Sequence, residues 1–407
     1  MLAMLDDATL IRPTIKIYLP TAMGRRLFQT QLKLSLPATM RNLSTHFIFS
    51  FIIYLLSLSF VYAANEDDLI ARARVIHDNV MALDTHVDIP LNFASSEHDP
   101  ANADAQVTLD SMRSGGLDAA FFIVYVGQQE RNEENYRNAR ADAVAKFDAI
   151  HRMTDYMYSD RIGLADTAAE ARAIFAEGKL VALIGIENGF VIGKDLSLLE
   201  DFRNRGARYM TLVHNGHNDI GDSAQPRPQF GDMETEHGGL SDFGFDVVDE
   251  LNRQGILVDI SHVSRQTMLD ATRHSKAPVI ASHSSVTAIA DHPRNMNDEQ
   301  LLALKDNGGV IQIVAFNPYV REGGDANVEM FVNHIDYAVN LIGVEQVGIS
   351  SDFGGGGGIA GWNNANETFN VTLELVRRGY SEEDIRQLWG ANVLRILEKA
   401  EQVADSY

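Results

Sequence analysis

Short apolar runs alternate with longer amphipathic segments along most of the chain. Eight of these runs are rich in β-branched and other apolar residues, which is typical of buried strands. They are Ala82–Ile89, Ala119–Val126, Leu180–Glu187, Tyr209–His214, Ile256–His262, Pro278–His283, Gly309–Phe316 and Val347–Asp352. Helical spacing of apolar residues occurs over 66–82 and then, between and after the strands, at about 130–156, 167–178, 194–206, 243–254, 264–275, 297–307, 328–343 and 366–400.

This alternation predicts an α/β fold, a (β/α)8 TIM-like barrel in which eight parallel strands are followed by helices. An open doubly wound sheet is the second interpretation, but no Gly-x-Gly-x-x-Gly turn follows the first strand. In a (β/α)8 barrel the active site lies at the carboxyl ends of the strands. The barrel interpretation therefore predicts that chemically active side chains are found there.

Ionisable residues do end six of the eight runs. They are His86, Asp88, Glu187, His214, His262, His283 and Asp352. A carboxylate at the end of an apolar strand is costly to bury unless it is paired or bound to a cation. A single strand-end histidine is more often structural, and a lone His-x-Asp pair is weak evidence. Several such residues on one rim instead predict a metal site, in which Glu187 could bridge two ions through its two oxygens.

Composition narrows the chemistry. The 407-residue chain contains no cysteine, which excludes thiol catalysis, thiolate metal ligands and disulfides. Its formal net charge of −22 disfavours nucleic acid as a partner. Any metal must therefore be held by histidines and carboxylates. These ligands suit zinc, and manganese and iron are compatible with the same ligand types.

The N-terminal region has the plan of an export signal. Arg41 precedes a nearly unbroken apolar run, Phe47–Val61, which is followed by small residues with a predicted cleavage after Ala63. We therefore expect a signal peptide at 40–63, an upstream extension at 1–39 that precedes the true start, and a single domain at 64–407. An uncleaved anchor is the alternative. The leader predicts an exported bacterial protein, periplasmic or secreted, with no membrane span after cleavage.

Seven motifs resemble the signatures of the renal, or membrane, dipeptidase family of metallo-dependent hydrolases. They are Asp84-x-His86-x-Asp88, Gly185-Ile186-Glu187-Asn188-Gly189, Leu212-Val213-His214-Asn215, Asp259-Ile260-Ser261-His262-Val263-Ser264, Ser282-His283-Ser284-Ser285, His292-Pro293-Arg294-Asn295 and Ser351-Asp352-Phe353. They follow one another in the family's order from about residue 66 to 400. Several motifs in the correct order are far more specific than any one of them.

The resemblance implies a zinc metallopeptidase with two Zn²⁺ ions on a (β/α)8 barrel. His86 and Asp88 would bind one ion, His262 and His283 the other, and Glu187 would bridge them. The implied reaction is hydrolysis of the peptide bond of a dipeptide by a metal-bridging hydroxide.

The resemblance also implies three roles towards the substrate. His214 would contact the substrate and the developing oxyanion. Arg294 would bind the terminal carboxylate, and Asp352 would transfer the proton to the departing amine. On its own, each of these residues also has an ordinary structural interpretation.

The chain departs from the family pattern at the glycine run Gly354–Gly358, where relatives commonly have a second Asp. Five consecutive glycines predict a mobile rim on that side. Mammalian relatives are disulfide-linked and lipid-anchored, whereas any homodimer here must be non-covalent. His217 is interpreted as a solvated or loop residue, and His98, His237 and His292 are left without a role.

Two alternatives stay open at this point. A related metal amidohydrolase could act on a β-lactam ring or an N-acyl amino acid, and blocking the amino end of the substrate would distinguish it from a dipeptidase. A non-catalytic exported binding protein on the same barrel is the other alternative. The retention of all seven strand-end residues argues against it.

Overall fold

A nearly closed barrel of eight parallel strands forms the centre of the protein, which confirms the predicted (β/α)8 TIM-like fold. The computed structural model describes residues 66–407, so the predicted signal peptide and upstream extension lie outside the described residues. The strands are β1 (Leu83–Asp88), β2 (Ala119–Tyr125), β3 (Ile162–Leu164), β4 (Leu180–Glu187), β5 (Ala207–Thr211), β6 (Leu257–Asp259), β7 (Ile280–Ser284), β8 (Val310–Val314) and β9 (Val347–Ser350).

The strand order around the barrel is β1-β2-β4-β5-β6-β7-β8-β9, and β3 pairs in parallel with the first residues of β4, off this path. All the pairings between neighbouring strands are parallel, so the carboxyl ends of the strands meet at one rim. The barrel closes between β1 and β9 through a single bridge. There the Asp88 amide donates to the Phe353 carbonyl at 2.8 Å, and Val87 pairs with Phe353.

Helices cover the outside of the barrel. They are α1 (66–79), α2 (Leu109–Gly115), α3 (Glu133–His151), α4 (Ala168–Ala176), α5 (Leu198–Asn204), α6 (Asp242–Gln254), α7 (Arg265–His274), α8 (Asp298–Asn307), α9 (Asn317–Val320), α10 (Val328–Ile342), α11 (Phe369–Arg377), α12 (Glu382–Arg386) and α13 (Asn392–Ala404). Within residues 66–407 no helix has both the length and the apolar character needed to cross a bilayer.

Side-chain caps explain where many helices begin. Asn132 accepts a hydrogen bond from a first-turn amide of α3, and Ser241 and Ser264 do the same for α6 and α7. At the start of α8, Asn297 and Gln300 form a reciprocal capping box. These local signals determine the residue at which each of these helices starts.

The apolar core has two layers. The barrel interior is filled by large side chains such as Phe121, Leu183 and Tyr209, all 0% exposed, and its lower end is covered by residues of α13. A second layer lies between the strands and the surrounding helices and includes Trp362 and Trp389. The interior is therefore a packed core below the rim.

The C-terminal segment 366–400 differs from its predicted single helical stretch. The structure breaks it after α11, whereas α12 and α13 are joined by a π-helical turn at Gln387–Ala391. Gly379 adopts a left-handed conformation (φ +86°) directly after α11, and Ser381 then forms a capping box with Asp384 that starts α12. The short elements β3 and α2 were not predicted, because three and seven residues are too few to show a clear period.

Truncating a side chain in the barrel interior should destabilise the fold. We expect Leu183→Ala to lower the free energy of unfolding by about 2 to 5 kcal/mol, because it removes buried apolar atoms and leaves a cavity. Leu302→Ala on α8 is the matched control, since Leu302 is 44% exposed; its cost should be about 0.5 kcal/mol or less. Denaturant unfolding followed by circular dichroism measures both, and equal costs would contradict the assignment of Leu183 to the core.

Candidate metal centre

The seven predicted strand-end residues all reach the same rim, but not all of them lie in strands. His86 and Asp88 belong to β1, Glu187 ends β4 and His283 lies in β7. His214, His262 and Asp352 were predicted as the last residues of strands, and the structure instead places them in the loops after β5, β6 and β9.

Backbone conformation explains part of this difference. His262 and Asp352 have φ values of +67° and +60°, which no extended strand adopts. Asn188, directly after Glu187, has a φ of +86°. Residues held in the left-handed region cost free energy and occur preferentially at functional sites, where the surrounding structure enforces them. Here the turn in the backbone directs the side chains into the barrel mouth.

Glu187 lies at the centre of the cluster and is 4% exposed. Its Oε2 atom lies 3.6 Å from His86 Nε2, which in turn lies 3.4 Å from Asp88 Oδ2. Its Oε1 atom lies 3.1 Å from His262 Nε2 and 3.4 Å from His283 Nε2. The two carboxylate oxygens therefore face two different groups of nitrogen and oxygen donors.

Hydrogen bonds on the far side of two imidazoles define their tautomers. The Tyr209 hydroxyl donates to a backbone carbonyl at 3.0 Å, so it accepts the bond from His86 Nδ1 at 2.9 Å. The Ser282 hydroxyl donates to Asp259 at 2.6 Å, so it accepts the bond from His283 Nδ1, also at 2.9 Å. Both histidines therefore have a proton on Nδ1 and turn Nε2 towards Glu187.

His262 follows the same rule, because its Nδ1 lies 3.1 Å from the amide oxygen of Asn215, which can only accept. The Nε2 atoms of His262 and His283 are then 2.8 Å apart with lone pairs facing each other. This arrangement is repulsive unless a cation lies between or beside the rings. His86 Nε2 is buried and has no hydrogen-bond partner within residues 66–407. The donor set therefore fits a bound cation.

The charges of the site agree with this interpretation. Burial, reinforced by the Arg294 charge, holds the pKa of His262 well below its ordinary value, and burial does the same for His283. Both rings are thus neutral, the form that binds metals. Burial would raise the pKa of Glu187, but the neighbouring histidines hold it well below its usual range. At His86 burial lowers the pKa, but the charges of Glu187 and Asp88 outweigh it and raise the pKa well above its ordinary value, so negative charge surrounds this ring.

Two further ionisable side chains border the cluster. Burial and the nearby Asp88 and Glu187 charges raise the pKa of Asp352 well above its usual range. Burial lowers the pKa of His214, whose Nε2 lies 3.8 Å from Glu187 Oε1. Groups of three residues whose ligand atoms lie within 4.8 Å of one another are His86, His283 and Asp352; Glu187, His214 and His262; and His86, Asp88 and Glu187.

The glycine run Gly354–Gly358 lies against the site, and its mobility stays a prediction. Its amides donate to Gln106 Oε1 at 2.9 Å and to the Asp352 carbonyl at 2.8 Å. A Cβ atom on Gly355 would collide with the carboxylates of Asp88 and Asp352. Glycine fits there because the backbone passes directly over the Asp88 and Asp352 side chains.

A cavity of about 750 Å³ opens above the cluster. Aromatic side chains form much of its wall: Phe93, Phe122, Tyr125, Phe316 and Tyr319. Arg294 is predicted to bind the terminal carboxylate of the substrate, but it is not among the described residues that line this cavity. It is 4% exposed, lies behind Tyr319 with its guanidinium 5.5 Å from the ring centroid, and donates to the His283 carbonyl at 3.2 Å.

His217 was predicted to be either solvated or part of a loop. It lies in a loop, but it is buried. It is 1% exposed, accepts from the Ser223 amide at 2.9 Å through Nδ1, and bonds the Met233 carbonyl through Nε2, also at 2.9 Å. Both ring nitrogens are thereby used within the loop, so His217 holds backbone and does not face the cluster.

Several supporting residues were not assigned a role from sequence. Asp84 and Asp259 lie within the quoted motifs, two and three residues before His86 and His262, and each accepts backbone hydrogen bonds from a neighbouring strand end. Tyr209 gave no signal, because a tyrosine in an apolar strand resembles ordinary core.

Comparisons with known proteins agree on one family. The family described as "Membrane dipeptidase (Peptidase family M19)" matches residues 70–407. The dipeptidase verJ of Clonostachys rogersoniana is 33% identical over 83% of this chain and 89% of that protein. The dipeptidase tcpJ of Claviceps purpurea is 36% identical over 74% of this chain and 70% of that protein. The crystal structure of the probable dipeptidase PvdM from Pseudomonas aeruginosa has a TM-score of 0.80 and 28% identity, covering 83% of this chain and 100% of that one.

These comparisons overturn the predicted bacterial location. Both verJ and tcpJ come from fungi, as do related dipeptidases of Aspergillus oryzae and Aspergillus terreus. The prediction of a bacterial periplasmic or secreted protein is therefore wrong. Its physical basis was an apolar leader, and the hydrophobic pattern of a leader does not distinguish a bacterial source from a fungal one.

Adding one methyl group to the glycine run should disturb the cluster. We expect Gly355→Ala to lower the free energy of unfolding by about 1 to 3 kcal/mol, because the methyl group overlaps Asp88 and Asp352. It should also lower the amount of divalent cation bound per chain, measured by plasma mass spectrometry. Gly127→Ala is the matched control, since a Cβ there meets only the Tyr125 hydroxyl, at 3.7 Å. Equal cation content in the two variants would show that the glycine run does not shape the site.

Proposed function

The chain belongs to the membrane dipeptidase family, peptidase family M19, and from this premise we propose that it hydrolyses dipeptides with two Zn²⁺ ions bound at the barrel rim. The observation that supports the proposal is the division of the Glu187 carboxylate between two groups of donors. The relatives verJ and tcpJ are named dipeptidases, which supports the same substrate class.

In this proposal His86 and Asp88 hold one ion, His262 and His283 hold the other, and Glu187 bridges them. Histidine nitrogens and carboxylate oxygens are ordinary zinc ligands. Two bound Zn²⁺ ions would supply Lewis acidity, which lowers the pKa of a water molecule and polarises the peptide carbonyl. The remaining steps belong to side chains of this protein.

Asp352 is proposed to carry the proton. Its raised pKa means that a proton on its carboxyl group is retained closer to neutral pH than on an exposed aspartate. It can therefore accept a proton from the attacking water and pass it to the departing amine. His214, whose pKa burial lowers, is proposed to donate a hydrogen bond from Nε2 to the carbonyl oxygen as that oxygen becomes anionic.

The substrate would be oriented by charge. Arg294 carries positive charge behind the His283 side of the site and would attract the terminal carboxylate. Asp88 and Asp352 lie on the side of His86 and would attract a free amino group. This polarity favours a short peptide with both ends free, and it disfavours a substrate whose amino end is blocked.

Replacing the bridging carboxylate tests this proposal. We expect Glu187→Gln to abolish hydrolysis of Ala-Ala, because Gln is nearly isosteric but removes the shared negative charge. Wild-type protein loaded with zinc should hydrolyse Ala-Ala and leave N-acetyl-Ala-Ala intact in a ninhydrin or mass-spectrometric assay. Glu383→Gln on α12 is the matched control, since Glu383 is 62% exposed, and it should retain wild-type activity. Wild-type turnover by Glu187→Gln would refute the bridge, and absence of dipeptide hydrolysis by the zinc-loaded wild type would refute the function.

Removing the Tyr209 hydroxyl should weaken metal binding. Tyr209→Phe deletes the acceptor that holds the proton of His86 on Nδ1, and loss of such a supporting bond typically costs about 10- to 100-fold in affinity. Competition with a chromophoric chelator measures zinc affinity directly. Tyr380→Phe is the control. The Tyr380 hydroxyl donates to Asp336 at 2.8 Å, and Asp336 is not one of the proposed metal ligands. If Tyr209→Phe and Tyr380→Phe both bind zinc as tightly as wild type, the Tyr209 hydroxyl does not determine which nitrogen of His86 carries the proton.

A further inference from the structure

Lys146 is a buried lysine on the inner face of α3. The buried residues of this helix are Tyr136, Ala139, Ala143, Lys146, Phe147, Ala149 and Ile150, so the lysine occupies a position in the apolar stripe. Lysine is among the residue types least often buried. Lys146 is nevertheless only 7% exposed, and it lines the cavity above the candidate metal centre.

The Lys146 ammonium group has no directly bonded carboxylate among the described residues. Within residues 66–407 no carboxylate oxygen lies within 4.0 Å of its Nζ, and the Tyr125 ring centroid is 5.6 Å away. Burial lowers the pKa of Lys146, while the charges of Asp88, Glu187 and Asp142 act in the opposite direction. A mostly buried cation without a directly bonded partner costs free energy. Such a group in a cavity wall fits a role in which the ligand provides the partner.

Position in the barrel indicates which part of a substrate Lys146 would meet. Lys146 lies on the helix that follows β2, whereas Arg294 follows β7, and these strands are four places apart in the ring of eight. The two cations therefore approach the mouth from opposite sides. If the terminal carboxylate is drawn towards Arg294, the amino-terminal residue lies towards Asp88, on the side of Lys146.

We propose that Lys146 binds the carboxylate of an acidic side chain on the first residue of the substrate, so that dipeptides beginning with Glu or Asp are preferred. This inference rests on the proposed dipeptidase function and adds a specificity-determining residue to it. Tyr125, whose ring centroid is 5.6 Å from Lys146 Nζ, lines the same cavity and would pack against the methylene groups of such a side chain. A charge-assisted hydrogen bond in this desolvated setting is stronger than one made in water.

Isosteric peptides that differ only in charge test the proposal. We expect zinc-loaded wild-type protein to show a kcat/KM for Glu-Ala at least about tenfold above that for Gln-Ala. In Lys146→Met, which keeps side-chain length, the ratio should fall to about one, mainly through KM for Glu-Ala. Lys146→Arg should restore part of the preference. The ratio between Ala-Glu and Ala-Gln should be unchanged by Lys146→Met.

Lys399→Met on α13 is the control, because Lys399 is an exposed lysine that bonds Gln402, and it should behave as wild type. An equal loss for Glu-Ala and Gln-Ala in Lys146→Met would overturn the proposal, since Lys146 would then balance Asp88 and Glu187 or bind the terminal carboxylate. Absence of a Glu-Ala preference in wild type would also overturn it.

Binding measurements separate this inference from the dipeptidase proposal. Calorimetric titration of Glu-Ala and Gln-Ala into Asp352→Asn, with and without Lys146→Met, records affinity without turnover. Tighter binding of Glu-Ala that is lost with Lys146→Met would support the role of Lys146 even if no dipeptide is hydrolysed. Equal binding of the two peptides would refute that role even if the protein proves to be an active dipeptidase.

Discussion

The buried carboxylate of Glu187 is the constraint on which the rim of this barrel depends. A negative charge at the end of an apolar strand is stable only if positive charge or hydrogen-bond donors face both of its oxygens. Four imidazole rings turn Nε2 towards it, and three of them, those of His86, His262 and His283, have a proton on the opposite nitrogen. The facing nitrogens of His262 and His283 and the carboxylates of Glu187 and Asp88 therefore border a single volume that suits a cation.

Two other buried aspartates hold this arrangement in place. Asp259 accepts from the amides of Ser261 and Ser282 and from the hydroxyls of Ser282 and Thr211, at distances from 2.5 to 3.0 Å. It thereby ties together the ends of β5, β6 and β7. Asp84 accepts from the amides of His86 and Ser351 and so links β1 to β9. The ligand geometry is consequently supported by strands on both sides of the barrel.

The fold and the family could be predicted from the sequence because both depend on patterns that extend along the whole described chain. The alternation of apolar runs and amphipathic segments, and seven motifs in order, led to a barrel and a family resemblance that the structure and the comparisons confirm. What could not be predicted depends on contacts between distant residues. The strand-ending turns at His262 and Asp352, the packing of Gly355 over two carboxylates and the hydroxyl of Tyr209 are all of this kind. Lys146 did leave a signal, a charged residue in an apolar helical stripe, which helical spacing alone could have identified.

The single bridge between Val87 and Phe353 places the seam of the barrel beside its ligands. Asp88 belongs to the seam through its backbone amide and to the cluster through its carboxylate. A cation bound to this carboxylate would also restrain the strand that closes the ring, and thermodynamic linkage would make the effect reciprocal. Binding of the cation would then stabilise the closed cylinder, so the residues that prepare the protein for chemistry would also contribute to its resistance to unfolding.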